Sequence, residues 1–151
     1  MVETRVAPKL AGVHETILGE DPFVGIRFDK PHVRLQCERE FKAMLVRLRQ
    51  GYIAAGGTRD MVRDLLIATA KNLAPLLRAL LWLVDAERPK TMEATLRQAG
   101  AEFKVDLTAV LAAHDWRRRK LHLTDAEMEA GFVTIVNDVD RLTSTVDGLK
   151  V

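Results

Sequence analysis

Residues 31–57 read PHVRLQCEREFKAMLVRLRQGYIAAGG, and this stretch decides the fold class. Advancing about 100° per residue, Val33, Cys37, Phe41, Met44, Leu45, Leu48 and Tyr52 collect in one arc, as in a helix with a core-facing side. Pro31 suits the first helical turn, where a missing N–H costs nothing, and Asp29 or Lys30 then precedes it. The pair Gly56-Gly57 is the expected stop, since glycine enters the left-handed conformation without a Cβ penalty. Leu35, Val46 and Ile53 fall on a second, narrower apolar stripe flanked by Arg39, Lys42 and Arg49. A helix apolar on two sides is expected to be covered from two directions, the second cover being another helix of the same chain.

Outward from this helix the pattern stays helical. A second long helix is predicted from about Thr58 to Val84, with Val62, Leu65, Leu66, Thr69, Leu73, Leu76, Leu77, Leu80, Leu81 and Val84 on a wide apolar face. Pro75 lies inside it and is expected to kink or divide it, at a cost of about 3 kcal/mol unless packing compensates. Thr91 can cap a short helix to about Ala99, stopped by Gly100, and Asp106 another to about Arg119. Thr124 and Glu127 form a capping box that opens a last long helix. In it Met128, Phe132, Ile135, Val139, Leu142, Val146 and Leu149 recur alternately four and three residues apart, a heptad seam. Upstream, a short helix is expected over Ala7–Leu18, followed by an irregular GEDPFVGIRFDKP at 19–31. No run alternates with period two. The prediction is an all-α bundle of three long and two or three short helices. It forms a single domain over 1–151, with 1–30 as lead-in and 31–151 as the bundle.

With 48% hydrophobic and 29% charged residues, the chain of 151 residues has the balance of a globular domain rather than a disordered one. A net charge of +2 gives no general affinity for nucleic acid. Its distribution is uneven: Arg27–Arg49 holds seven basic and three acidic residues, whereas Thr124–Gly148 holds six acidic residues and one basic. Such opposed segments either face one another or orient a partner. The single Cys37 precludes an internal disulfide and any multi-cysteine metal site, which makes a reducing cytoplasm the default expectation. The start MVETRVAPK lacks the apolar core of a signal peptide. The longest apolar stretch, Leu73–Val84, is shorter than the roughly 20 residues of a membrane span and reads as a core helix.

The search for reacting groups yields little. The Glu-x-x-His pairs of a helical di-iron site are missing, His14-Glu15 lacks the second histidine of a zinc motif, and no metal or cofactor is expected. Neither a nucleophile elbow nor a phosphate-binding glycine loop occurs. Cys37, despite Arg34 and Arg39 nearby, sits on the main apolar stripe and reads as a buried, inert thiol. Arg117 and His122 have the spacing of the Arg-x(4–6)-His motif of HEPN-type ribonucleases, in which the two residues meet across a dimer. Arg27 and His32 share that spacing, and the Arg117 copy also reads as a basic helix end complementing the macrodipole. RRRK at 117–120, with Trp116 and His122, is likewise either a small nucleic-acid patch or a solvated helix terminus.

One resemblance covers residues 19–57. Gly19, Glu20, Asp21, Pro22 and Gly25 form a turn of the GEDP-x-x-G type. Arg34, Leu35, Gln36, Glu38, Arg39, Glu40, Leu45, Leu48, Arg49 and Tyr52 follow in the pattern LRLQCEREL-GKLL-LRQ-YL. This resembles the helical region behind the catalytic head of bacterial nucleotidyltransferase-like proteins of the DNA polymerase β superfamily. Heads of that superfamily carry a Gly-Ser turn and an Asp-x-Asp pair. No Gly-Ser dipeptide occurs here, and Asp138-Val139-Asp140 lies in the seam helix, where it reads as two exposed carboxylates. The resemblance therefore implies a non-catalytic accessory domain whose partner is a nucleotidyltransferase-like domain or protein. The candidate anion- or partner-binding residues are Arg34, Arg39, Lys42, Arg49, Arg117 and Arg118. The alternatives are a HEPN-like ribonuclease using Arg117 and His122, and a homodimer formed through the bundle.

Overall fold

The computed structural model describes residues 17–19, 26–116 and 123–151. Its five helices are α1 (Lys30–Ala55), α2 (Arg59–Leu83), α3 (Met92–Phe103), α4 (Thr108–Trp116) and α5 (Asp125–Gly148). Three are long and two short, and the described residues contain no strand, so the chain is an all-α bundle. The expected helix over Ala7–Leu18 falls outside the described residues except for Ile17 and Leu18, which are exposed and not helical.

Local chemistry sets the ends of α1 as the sequence suggests. Asp29 is the N-cap residue, Pro31 sits in the first turn, and Gly56 closes the helix at φ 55°, its N–H donating to the Ile53 carbonyl at 3.1 Å. Val33, Cys37, Phe41, Met44, Leu45 and Leu48 are buried along one side, with Tyr52 half-buried below them. Helix α2 crosses this side so closely at Gly51 that a Cβ there would stand 2.8 Å from Leu65 Cδ1. The far ends of the two helices are clasped as well. Lys30 Nζ reaches Asp85 at 2.6 Å, and Phe28 meets the Trp82 ring edge-on with centroids 6.4 Å apart.

The middle of the fold is α2, which touches every other helix. Leu66, Ala70, Leu73, Leu77, Leu80 and Leu81 along it have no exposed surface. It is long and apolar enough to cross a membrane by length and composition, but more than half of that apolar window is buried inside the bundle. Pro75 does not divide it: the helix is continuous from Arg59 to Leu83. Proline has no N–H to offer the Lys71 carbonyl, so that bond is missing, and the burial of Leu73, Ala74, Leu76 and Leu77 around it holds the backbone helical without it.

The link from α2 to α3 is fastened by Arg78, which donates to the carbonyls of Pro89 at 3.1 Å and Lys90 at 2.6 Å. Thr91 caps α3, its hydroxyl accepting from the Ala94 N–H. The stop expected at Gly100 is not observed. Helix α3 runs on to Phe103 and ends where Lys104 takes the left-handed conformation at φ 53°. Gly100 is instead where the returning chain passes, and a Cβ there would stand 3.0 Å from the Val105 carbonyl oxygen. Asp106 then accepts from the N–H and hydroxyl of Thr108 at the start of α4, and these bonds hold its carboxyl below the ordinary range. The expected end of α4 near Arg119 lies outside the described residues.

Helix α5 opens on the complete capping box, with Thr124 and Glu127 each accepting from the other's backbone N–H. The same backbone bond lowers the Glu127 carboxyl below its usual range. Of the seam, Met128, Ile135, Val139, Leu142 and Val146 are buried, while Phe132 and Leu149 are half-buried. Asp138 departs from expectation. Instead of an exposed carboxylate it is only 4% exposed, and its Oδ2 has no hydrogen-bond partner among the described residues. Asp140 is exposed as expected.

Candidate interaction surface

The second apolar stripe of α1 has no cover among the described residues. Leu35, Val46 and Ile53 are 37%, 50% and 78% exposed, so none of the five described helices packs on them as expected of a second cover. Together with Arg39, Lys42 and Arg49, all exposed, they occupy positions 35, 39, 42, 46, 49 and 53. That alternation of four and three residues makes one straight row on a helix surface, spanning about 27 Å at 1.5 Å per residue. The row is half aliphatic and half cationic, and it faces away from the core.

The basic residues in and near this row are held differently. Arg34 is half-buried and donates to Glu38 at 3.3 Å and to the Val146 carbonyl at 3.2 Å, so its guanidinium ties α1 to the end of α5. Lys42 bonds to Glu38 one turn back and stands 3.7 Å from Asp147. That hydrogen bond holds the Glu38 carboxyl low and raises the Lys42 ammonium. Arg39 and Arg49 have no ion-pair or hydrogen-bond partner for their side chains among the described residues, whereas Arg47, off the row, reaches Glu40 at 3.9 Å. Of the four candidates on α1, Arg39 and Arg49 are the cations free to meet a partner. Arg34 serves the fold, and Lys42 does both.

Helix α5 borders the row. The rings of Tyr52 and Phe132 stack with centroids 4.1 Å apart at one end, and Arg34 meets Val146 at the other, so α1 and α5 run antiparallel. Asp147 touches Lys42, and Asp140 and Val133 precede Asp147 by seven and fourteen residues, on the same side of the helix. Val133 is 51% exposed, and Glu129, one turn before it, is exposed with Asp140. The two helices thus present one continuous face, basic along α1 and acidic along α5, with aliphatic side chains on both.

Arg117, Arg118 and His122, and with them the ribonuclease pair and the whole of RRRK at 117–120, lie outside the described residues. Cys37 is buried at 3% exposure. The described residues contain no group of three or more metal-ligating side chains. A cleft of about 310 Å³ lies between α3 and the start of α4, and its charged lining residues are engaged: Arg97 with Glu93, and Asp106 with Thr108. The signal that exposes α1 was present in the sequence as its second stripe. The acidic row of α5 was visible only as a charge count, without its geometry. No family model, curated protein or solved structure matches this chain.

Proposed function

We propose that this chain is a non-catalytic helical accessory domain that docks a nucleotidyltransferase-like catalytic domain through the outward face of α1. The observation that carries this reading is the uncovered row Leu35, Arg39, Lys42, Val46, Arg49 and Ile53. Exposed aliphatic side chains interleaved with cations, of which Arg39 and Arg49 have no partner among the described residues, are what a binding surface needs. The same helix carries most of the residues behind the resemblance to the region following a polymerase β-type head, and its core side and its exposed row both draw on them. In this reading the head supplies the Gly-Ser turn, the Asp-x-Asp pair and the metal chemistry, while this domain supplies a rigid platform in a reducing cytoplasm. The test is to titrate a purified polymerase β-type catalytic head, bearing a Gly-Ser turn and an Asp-x-Asp pair, into this domain by calorimetry. Arg39→Ala/Lys42→Ala/Arg49→Ala is expected to weaken the complex at least tenfold with the helical circular dichroism unchanged. Equal affinity for wild type and variant refutes the docking face.

A further inference from the structure

We infer that the α1–α5 face also pairs with the same face of a second copy of this chain, and that this pairing and head docking exclude one another. The pairing stands on geometry alone; the exclusion rests on the function proposed above.

The argument starts from the sign of the charges. Arg39, Lys42 and Arg49 lie on the α1 side of the face, and Glu129, Asp140 and Asp147 on the α5 side. A face whose two halves carry opposite charge complements a copy of itself when a two-fold axis exchanges the halves. Because α1 and α5 are antiparallel neighbours, an axis along the groove between them does this. It lays α1 of one copy over α5 of the other and leaves every residue at its own height along the axis.

The stacked Tyr52 and Phe132 fix the heights at one end, and Arg34 on Val146 fixes them at the other. Between these two points Lys42 stands level with Asp140, and Arg49 with Val133, one turn from Glu129. Ile53 falls between Val133 and Glu129. Arg39 falls between Asp140 and Asp147, so each cation of the α1 row meets an acid or an aliphatic group of the acidic row in the second copy.

The apolar part agrees. Leu35, Val46, Ile53 and Val133 are among the few large aliphatic side chains left between 37% and 78% exposed in the described residues, and all four lie on this one face. In the pair they form the inner layer of a four-helix contact, with the charges at its rim. A face about 27 Å long and two helices wide buries on the order of 1,000 Å² in total, the lower bound for a specific interface. The expected pair is weak and reversible, as an occupant that must yield to another should be.

The test needs only the purified chain. Sedimentation velocity across a hundredfold concentration range is expected to show monomer converting to dimer. Arg39→Glu/Arg49→Glu makes both halves acidic, and Glu129→Lys/Asp140→Lys makes both basic, so each variant alone is expected to be monomeric. Their equimolar mixture is expected to dimerise again, because every acidic half then meets a basic one. Val46→Asp/Ile53→Asp, which removes the apolar layer, is a second monomeric control should either charge variant fail to fold. A wild type that is monomeric throughout overturns the pairing, as does a mixture that stays monomeric. Titrating the catalytic head into the dimer separates the two claims. A complex of one head and one domain supports exclusion, and a stable complex of two and two overturns it while head docking stands. A dimer that ignores the head overturns the proposed function and leaves the pairing intact.

Discussion

Replacing Asp138 with Asn should stabilise this protein at neutral pH. Asp138 is 4% exposed on α5, and its Oδ2 has no hydrogen-bond partner among the described residues. Burial raises its carboxyl from 3.8 to about 6; the nearby Asp106 carboxylate adds to the rise and Arg141 opposes it. A difference of about 2 pH units corresponds to about 3 kcal/mol at 1.36 kcal/mol per unit, which the folded state forfeits once the group ionises. The sign follows from proton binding. Between the unfolded value near 4 and the folded value near 6, the folded chain holds a proton that the unfolded chain has lost. Stability therefore rises as pH falls from 7 to about 4.5. Glu38, Asp106 and Glu127, whose carboxyls are held low by hydrogen bonds, act in the opposite direction as they protonate, chiefly below this window. The assay is urea unfolding followed by circular dichroism at several pH values from 4.5 to 8. Wild type should gain about 1–3 kcal/mol between pH 7 and 4.5. Asp138→Asn keeps the shape without the charge, so it should exceed wild type by a similar amount at pH 7 and match it near pH 4.5. A variant that is destabilised equally at both ends of the range would refute the account, and would mean that Asp138 makes a stabilising contact as an anion.

Two further outcomes test the packing. Gly51→Ala places a methyl 2.8 Å from Cδ1 of the half-buried Leu65, whose flexible end can turn aside, so this strain and the gain of about 1 kcal/mol in helix propensity should leave stability in urea unfolding within about 1 kcal/mol of wild type. Arg78→Ala takes the donor from the Lys90 carbonyl and leaves the Pro89 carbonyl only the Thr95 hydroxyl, and it should cost about 1–2 kcal/mol, with faster proteolysis between Asp85 and Thr91 as the local readout.

The parts of this fold that could be read from the sequence are those governed by neighbours along the chain. The Gly56 stop, the Thr91 cap, the Thr124–Glu127 capping box and the period of each apolar face depend on residues within a turn or two. The misread positions depend on what lies across the fold. Gly100 looked like a helix end because glycine often is one, but its role is to admit the Val105 carbonyl, five residues on and folded back. Asp138 sits four residues before Leu142 and three after Ile135, so its angle put it next to the seam, but only the position of α4 and the loop before it determines that this flank is closed. The second stripe of α1 was legible as a stripe. That no helix among the described residues covers it is a property of the whole topology. Arg34 and Arg39 are equally basic in the sequence, and only the approach of Val146 makes one a fastening of the fold and leaves the other available.

The two tryptophans occupy separate corners of the molecule. Trp82 lies against Phe28 and beneath Lys30, where α1 begins and α2 ends, while Trp116 lies against Gly131, where α4 meets α5. Their indoles are therefore two native emitters, each reading a different seam between helices. With either one changed to Phe, the fluorescence of the other follows a single junction as denaturant is added, and coincident curves would show that this bundle opens all at once.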